Sequence, residues 1–256
     1  MSEIKIELNG KVAIVTGVAQ GMGRAIGKQL FALGATVVGL DKNDGSPGFP
    51  EEINTGRFIF KQVDLRDRDA VRELTAGIGK AHGTIDILVN NAGILERAFL
   101  EDMTPAHWER ILDINLVAMV NLCQAVIPFM KRQRRGKIIN ASSILGGYPD
   151  VGLTAYSISK ASVNTLTKIL AAELGPYNIQ VNAYAPGTII TPMTEKLRRE
   201  RADQKLEQIP LRRFGRAEEV AYAVAFLASS LADYISGAIL PVDGASLVVQ
   251  RPQSVS

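Results

Sequence analysis

The sequence predicts an α/β fold: a single doubly wound, mostly parallel sheet with helices on both faces. Three observations predict it. Short apolar runs alternate with stretches of helical periodicity from about residue 11 to residue 244. Those runs are continuously apolar rather than alternating, the pattern of strands covered on both faces. The first run also passes into the first helical stretch through a glycine-rich turn, as in a nucleotide-binding α/β sheet.

The elements follow in order. "KVAIVT" (11–16) is apolar and β-branched and stops at Gly17, a buried strand. In "GRAIGKQLFALG" (23–34), Ile26, Leu30 and Leu33 share a helical face and Gly34 ends the helix. "TVVGLD" (36–41) is the second strand, and "NDGSPGFPEE" (43–52) is a Gly/Pro loop. "RFIFKQVDL" (57–65) is the third strand and "RDRDAVRELTAGIGKAH" (66–82) a helix. "IDILVNNAG" (85–93) is a fourth strand running into a glycine-ended turn. A long helix is predicted over 105–133, a fifth strand over 136–143, and a helix over 153–175 closed by Gly175 and Pro176. The sixth strand covers 179–187, a helix 217–229 and the last strand 237–244. Residues 188–215 have no clear core pattern and read as a mobile lid over the site. No linker or repeat divides the chain, so residues 1–256 read as one domain.

The bulk composition excludes several classes. With 46% hydrophobic and 21% charged residues, the chain has the balance of a soluble globular protein. Its length can bury roughly three quarters of the surface of the unfolded chain. One cysteine, Cys123, precludes an internal disulfide and suits a reducing compartment. Its flanks, "MVNLCQAVI", read as an apolar helix face. No run matches a membrane span of about 20 apolar residues. The start, "MSEIKIELNGK", has acids among its apolar residues and no signal-peptide core, so a cytoplasmic location is expected. The net charge of +3 is concentrated in "KRQRRGK" (131–137) and "EKLRRERADQK" (195–205). Without interleaved aromatics or zinc-ligand spacing these read as a helix end and a solvated helix face, not a nucleic-acid surface. No metal site is assigned.

The turn between the first strand and helix is Thr16-Gly17-Val18-Ala19-Gln20-Gly21-Met22-Gly23. Glycines there let backbone N–H groups approach a pyrophosphate at a helix N-terminus. Asp41 ends the second strand, where a carboxylate can accept from both ribose hydroxyls of NAD and repels the 2′-phosphate of NADP. A turn-initiating acid is its alternative reading, and Arg24 and Lys42 are cations that oppose the NAD assignment. Gln20 stands where a cation would aid NADP. NAD is therefore the expected cofactor, ahead of NADP.

"YSISK" (156–160) puts Tyr156 and Lys160 four residues apart on one helix face. An ammonium held near a phenol favours the phenolate, as does an oxidised nicotinamide ring, and lowers the phenol pKa from about 10. Such a phenol can remove an alcohol proton as hydride leaves, or return it in reverse. A packed tyrosine with a lysine lying over it is the structural alternative.

The glycine spacing, "NNAG" (90–93) and "YSISK" together resemble the short-chain dehydrogenase/reductase family, in its branch of about 250 residues. Ser143 thirteen residues before Tyr156, Asn115 in "DINL" and "PGTIIT" (186–191) extend the resemblance over the whole chain. The resemblance implies a Rossmann domain with a seven-stranded parallel sheet, and oligomers, usually tetramers, that pack the helices containing Asn115 and Tyr156. It implies that Lys160 holds the nicotinamide ribose and that Ser143 hydrogen-bonds the substrate oxygen; Ser142 is the other candidate hydroxyl. Asn115 would hold a water linking Lys160 to solvent. Asp64 and Leu65 would flank the adenine, although Asp64 also reads as a helix N-cap. Asn91, Ala92 and Gly93 would border the adenine ribose and the turn beyond. Pro186 and Gly187 belong to the cofactor site in this reading, with Ile189 and Thr191 at the nicotinamide carboxamide.

The substrate is then a small alcohol or ketone between Ser143, Tyr156 and the lid. Leu95, Glu96, Leu145, Tyr148, Val151, Thr188 and Met193 are candidate walls. Lys196, Arg198 and Arg199 could meet an anionic group, and Glu96 a polyol. Family resemblance offers 3-oxoacyl reductases and sugar, polyol or steroid-type dehydrogenases. An NADPH-dependent ketoreductase is the second enzyme reading. A catalytically silent NAD-binding scaffold is the non-enzyme reading, and the Asn115, Ser143, Tyr156 and Lys160 set argues against it. His82 and His107 receive no role.

Overall fold

In the computed structural model, which describes residues 5–248, one parallel sheet runs in the order β3-β2-β1-β4-β5-β6-β7. The strands are β1 Val12–Thr16, β2 Thr36–Asp41, β3 Phe58–Gln62, β4 Ile87–Asn90, β5 Gly136–Ala141, β6 Ile179–Pro186 and β7 Ile239–Val242. The seven predicted strands are all present; β2 has the predicted bounds, and the other six are shorter at one or both ends than the apolar runs that predict them. The first four and the last eight residues, including the start of the N-terminal segment read above, lie outside the described residues.

The helices are α1 Gly21–Ala32, α2 Pro50–Asn54, α3 Arg68–His82, α4 Pro105–Leu112, α5 Ala118–Gln133, α6 Thr154–Leu174, α7 Glu195–Glu207 and α8 Ala217–Ala228. They cover the sheet in two layers. Ile26 and Leu30 of α1 and Val220 and Val224 of α8 pack on one face, joined by Phe49, which stacks on Phe58 at 3.9 Å. Val71 and Ile78 of α3, Leu122 and Val126 of α5, and Val163 and Leu170 of α6 fill the other. Each of these five helices, α1, α3, α5, α6 and α8, buries an apolar stripe against strands that are apolar on both sides, which is why the strands show no alternation.

Two predicted segments differ. The Gly/Pro loop after β2 contains α2, because Pro50 at the first helical position and Glu51 and Glu52 in the first turn favour a helix start. The long helix over 105–133 is continuous in direction but passes through one π turn, Asp113–Val117, with Asn115 buried inside it. Those 29 residues have the length and hydropathy of a membrane span. Ile111, Met119, Leu122, Cys123, Val126 and Met130, however, face the protein core and account for that hydropathy.

The basic stretch at 131–137 is used internally. Lys131 lies 4.2 Å over the Tyr177 ring, Arg135 Nε pairs with Asp86 at 3.1 Å, and Lys137 pairs with Asp233 at 2.6 Å.

Strand order reverses between β1 and β4, so the loops leaving their C-terminal ends part and leave a crevice. The glycine turn leaves β1 there, and "NNAG" leaves β4.

Candidate active site

Gly17 adopts φ +72°, a left-handed conformation that glycine enters without cost. The turn it opens is tightly closed. A Cβ on Gly17 would lie 2.9 Å from Asn91 Nδ2, and one on Gly23 would lie 2.0 Å from the Gly17 carbonyl oxygen. The spacing of the glycines is thus a packing requirement of the turn, and it leaves the backbone bare toward the crevice. Gln20 caps α1 without a side-chain bond, and Met22 packs back on the core.

Asp41 stands beside this turn. Its Oδ2 accepts from Ala19 N at 2.9 Å and its Oδ1 from Asn43 N at 3.0 Å. Two of about four acceptor positions remain for a ligand. Arg24 clasps the carbonyl of the same Ala19 and lies against Gly48. Asp41 and Arg24 therefore hold the N–H and the carbonyl of the same residue. These residues fit a dinucleotide: a bare glycine cradle on a helix N-terminus, followed by a carboxylate at the end of the next strand.

"NNAG" is bolted to β1. Thr16 Oγ1 accepts from Asn91 N and Ala92 N, both at 2.9 Å. Asn91 Nδ2 donates to Thr16 O at 2.9 Å, and Asn91 Oδ1 accepts from Tyr184 on β6 at 2.8 Å. The Asn91 side chain is thus a brace under the crevice.

Tyr156, Ser143, Lys160 and Asn115 are brought together, with side chains 8%, 7%, 3% and 0% exposed. Tyr156 sits in the first turn of α6, and Lys160 Nζ lies 5.7 Å from its ring centroid. Lys160 Nζ donates to Ala141 O at the end of β5 at 2.8 Å. Burial lowers its pKa to about 8. The same burial raises the Tyr156 pKa, and a hydrogen bond with Ser143 pulls it back in part. In the polypeptide alone the direction is therefore opposite to the lowering expected beside an oxidised nicotinamide: desolvation raises the value, and the Ser143 hydrogen bond opposes it.

Ser143 caps the short turn Ile144–Gly146, its Oγ accepting from Leu145 N at 3.1 Å. Ser142 bonds Asn164 Oδ1 at 2.5 Å instead, so Ser143 is the one of the two serines that bonds Tyr156. Asn115 is engaged through its whole amide. Its Oδ1 accepts from Ile94 N at 2.8 Å, while its Nδ2 donates to Ile94 O at 3.0 Å and Ser159 Oγ at 3.1 Å. It ties the loop after "NNAG" to α6 and touches the same spot as Lys160. A Cβ on Gly93 would lie 3.1 Å from Asn115 Oδ1 and 3.5 Å from Lys160 Nζ.

The remaining predicted positions divide. Asp67, not Asp64, caps α3 by accepting from Ala70 N. Asp64 instead pairs with Arg66, which holds its carboxyl down at about 2, and Leu65 packs on the core. Pro186 ends β6, and Gly187 N donates to Val242 O at 3.0 Å. Ile189 is 3% exposed and packs on the core. Thr191 lies on the glycine turn: a Cβ on Gly21 would come within 3.3 Å of Thr191 Cγ2. Tyr148, Val151 and Met193 are exposed at the rim. Glu96 is occupied by Arg110 and by His107 Nε2 at 2.9 Å, so it is not a free carboxylate for a polyol. That contact gives His107 a place the sequence reading withheld. Cys123 is buried against Asn90 with its thiol pushed up to about 12, an inert core group.

Comparison with known proteins agrees with this geometry. Residues 17–245 match the family model described as enoyl-(acyl carrier protein) reductase. The chain is 41% identical over 246 residues to the 3-oxoacyl-(acyl-carrier-protein) reductase FabG of Thermotoga maritima, covering 95% of this chain and 100% of that protein. It is 42% identical over 238 residues to the FabG of Staphylococcus epidermidis, covering 91% and 98%. Among solved structures, a protein of Agrobacterium tumefaciens assigned by name to 2-deoxy-D-gluconate 3-dehydrogenase, with bound NADP, matches at TM-score 0.89 and 37% identity over 96% of this chain and all of that one. Another from that organism, assigned to gluconate dehydrogenase, matches at TM-score 0.92 and 30% identity, again over 96% of this chain and all of that one. With a glycine cradle at the strand-order reversal and a buried serine, tyrosine and lysine beside it, the chain belongs to the short-chain dehydrogenase/reductase family, an NAD(P)-dependent oxidoreductase acting between alcohol and ketone.

Proposed function

We propose that this protein is an NAD-dependent dehydrogenase of a small secondary alcohol, with Tyr156 as general acid/base. The observation that carries the reading is the joint burial of Tyr156, Ser143 and Lys160 at the end of β5, beside the crevice where β1 and β4 part. A bound nicotinamide dinucleotide supplies the hydride acceptor. Gly17, Gly21 and Gly23 would hold its pyrophosphate, Asp41 a ribose, and Lys160 the other ribose. Tyr156 Oη takes the alcohol proton in oxidation and returns it in reduction. Ser143 donates to the oxygen where charge develops. Asn115 keeps Ile94 and α6 in register, so a water link to solvent would rest on the main chain of the π turn rather than on its amide.

Asp41 supports NAD. The substrate is read as a secondary alcohol or ketone, with the exposed Tyr148, Val151 and Met193 as its walls. Residues 188–215 act as its lid. Their ends are joined by Gly215 N to Thr188 O at 3.0 Å and Ile190 N to Gly215 O at 2.8 Å, and Leu211 N donates to Gly244 O at 3.3 Å, which leaves the part around α7 to move. Exposed Val117, Ile158 and Ile169 on the helices of Asn115 and Tyr156 support a homotetramer, and the reading places the enzyme in the cytoplasm.

A second reading has its own support. The FabG relatives and the NADP-bound neighbour favour an NADPH-dependent 3-oxoacyl reductase, whose substrate would arrive on an acyl carrier. One experiment separates the two: steady-state rates with NAD⁺ and NADP⁺ across alcohols, gluconate-type sugar acids and 3-hydroxyacyl thioesters, followed at the reduced-nicotinamide absorbance. NAD⁺-linked oxidation of a small alcohol supports the first. Strong NADP preference with thioesters alone overturns it.

A further inference from the structure

We propose that Arg198 is a phosphate ligand carried by the lid, closing on the pyrophosphate of a dinucleotide held at the glycine turn. The proposal rests on the dinucleotide reading above and adds a residue that motif and comparison leave unassigned.

Three basic side chains stand at the start of α7. Lys196 and Arg199 are exposed; Arg198 is half-buried. Its guanidinium turns back toward the segment before the helix. Nε donates to Thr194 Oγ1 at 3.3 Å and Nη2 to Thr191 O at 3.5 Å. Both bonds are long, and both acceptors are neutral. Among the described residues no carboxylate pairs with Arg198, whereas Arg213 is held by Glu219, Arg110 by Glu96 and Arg97 by Asp150. A guanidinium offers five donors, so most of this one's capacity is unspent. A cation drawn in from water without a counter-charge costs free energy that an arriving anion recovers.

The anion's place is set by what Thr191 touches. Its side chain rests on Gly21, the first residue of α1, with the 3.3 Å approach described above. The N-terminus of that 12-residue helix presents free N–H groups and the positive end of its dipole. A single residue, Thr191, thus separates an uncompensated guanidinium from the backbone that binds phosphate. The planar fork of arginine suits two phosphate oxygens at once, a geometry lysine cannot copy. A phosphate gripped by Arg198 holds the start of α7, and cofactor loading becomes coupled to the position of that helix.

The test uses the full-length protein and its Arg198→Ala and Arg198→Lys variants, with affinities for NADH, ADP-ribose and adenosine measured by calorimetry. ADP-ribose has the pyrophosphate without the nicotinamide; adenosine has neither. Loss of a charge-assisted contact predicts Arg198→Ala affinities weaker by about tenfold or more for NADH and ADP-ribose alike. Arg198→Lys recovers part of that loss, adenosine is unaffected, and the urea midpoint does not move. NADH and ADP-ribose affinities within twofold of wild type overturn the proposal. So does an Arg198→Ala effect confined to the KM of an acidic substrate, which would make the arginine a substrate contact. Wild-type protein that binds neither nucleotide overturns the dinucleotide reading itself, and this proposal with it.

Discussion

Gly23 and Gly17 meet across the phosphate-binding turn with no room between them: a Cβ on Gly23 would lie 2.0 Å from Gly17 O and 2.6 Å from Asn91 Nδ2. A backbone oxygen in a closed turn cannot swing aside. Gly23→Ala is therefore expected to abolish NADH binding and to cost about 2 kcal/mol or more of stability. Gly77 in α3 is the control, because a Cβ there meets nothing within 4 Å. Gly77→Ala should stabilise by about 0.5–1 kcal/mol and leave binding alone. Urea melts and NADH titrations on both variants decide the matter.

Removing only the phenolic oxygen isolates the proton transfer. Tyr156→Phe should lower kcat by about 10³-fold, within the usual range for loss of a general acid/base. NADH affinity should stay within about twofold, since the ring that packs beside Lys160 is retained. Turnover near the wild-type rate would end the assignment of Tyr156.

Cofactor choice is carried by one carboxylate in this reading. Asp41→Asn keeps an acceptor for Ala19 N or Asn43 N but removes the charge. The kcat/KM ratio of NADP⁺ to NAD⁺ should rise by about tenfold, the scale of one lost charge repulsion. A ratio that does not move would place discrimination elsewhere, with Lys42 the next residue to change.

Lys160 gives stability a definite dependence on pH. Its folded-state pKa is lowered to about 8 by burial, below the value of 10.5 in the unfolded chain. Between those values the unfolded state binds more protons, so this residue makes the cofactor-free protein more stable as pH rises from about 8 to about 10. The Tyr156 pKa is raised, so its proton is retained on folding and its contribution falls only above the ordinary tyrosine range near 10. Urea midpoints at pH 7.5, 8.5 and 9.5 should climb in wild type and much less in Lys160→Met. Activity has its own sign: oxidation requires the phenol to lose a proton that burial holds on, so kcat/KM for alcohol should rise with pH through the alkaline range.

Much of this architecture is legible in the chain. The continuous apolar runs could only be strands covered on both sides, and seven of them appear in one parallel sheet. The Tyr156–Lys160 spacing put both groups on one helix face, and both stand there on α6. Less was legible where a contact spans distant segments. Nothing near Asn91 signals that Tyr184, 93 residues away, donates to its side-chain oxygen and braces it against β6. Nothing near Asp64 shows that Asp67 is the better cap, since both are acids before the same helix. Glu96 looked free because its partners, His107 and Arg110, come from the next helix.

The sequence by itself determined the fold class, the glycine turn, the acid that follows it and the tyrosine–lysine pair, because each depends on periodicity or spacing within a few turns of chain. Only the tertiary structure decided which serine faces Tyr156, how Asn115 is spent, and which way burial moves the phenol. Those depend on how much water the packed sheet and helices exclude, and on which distant backbone groups they bring within 3 Å, as with Lys160 Nζ on Ala141 O at 2.8 Å. Local spacing carries no record of either.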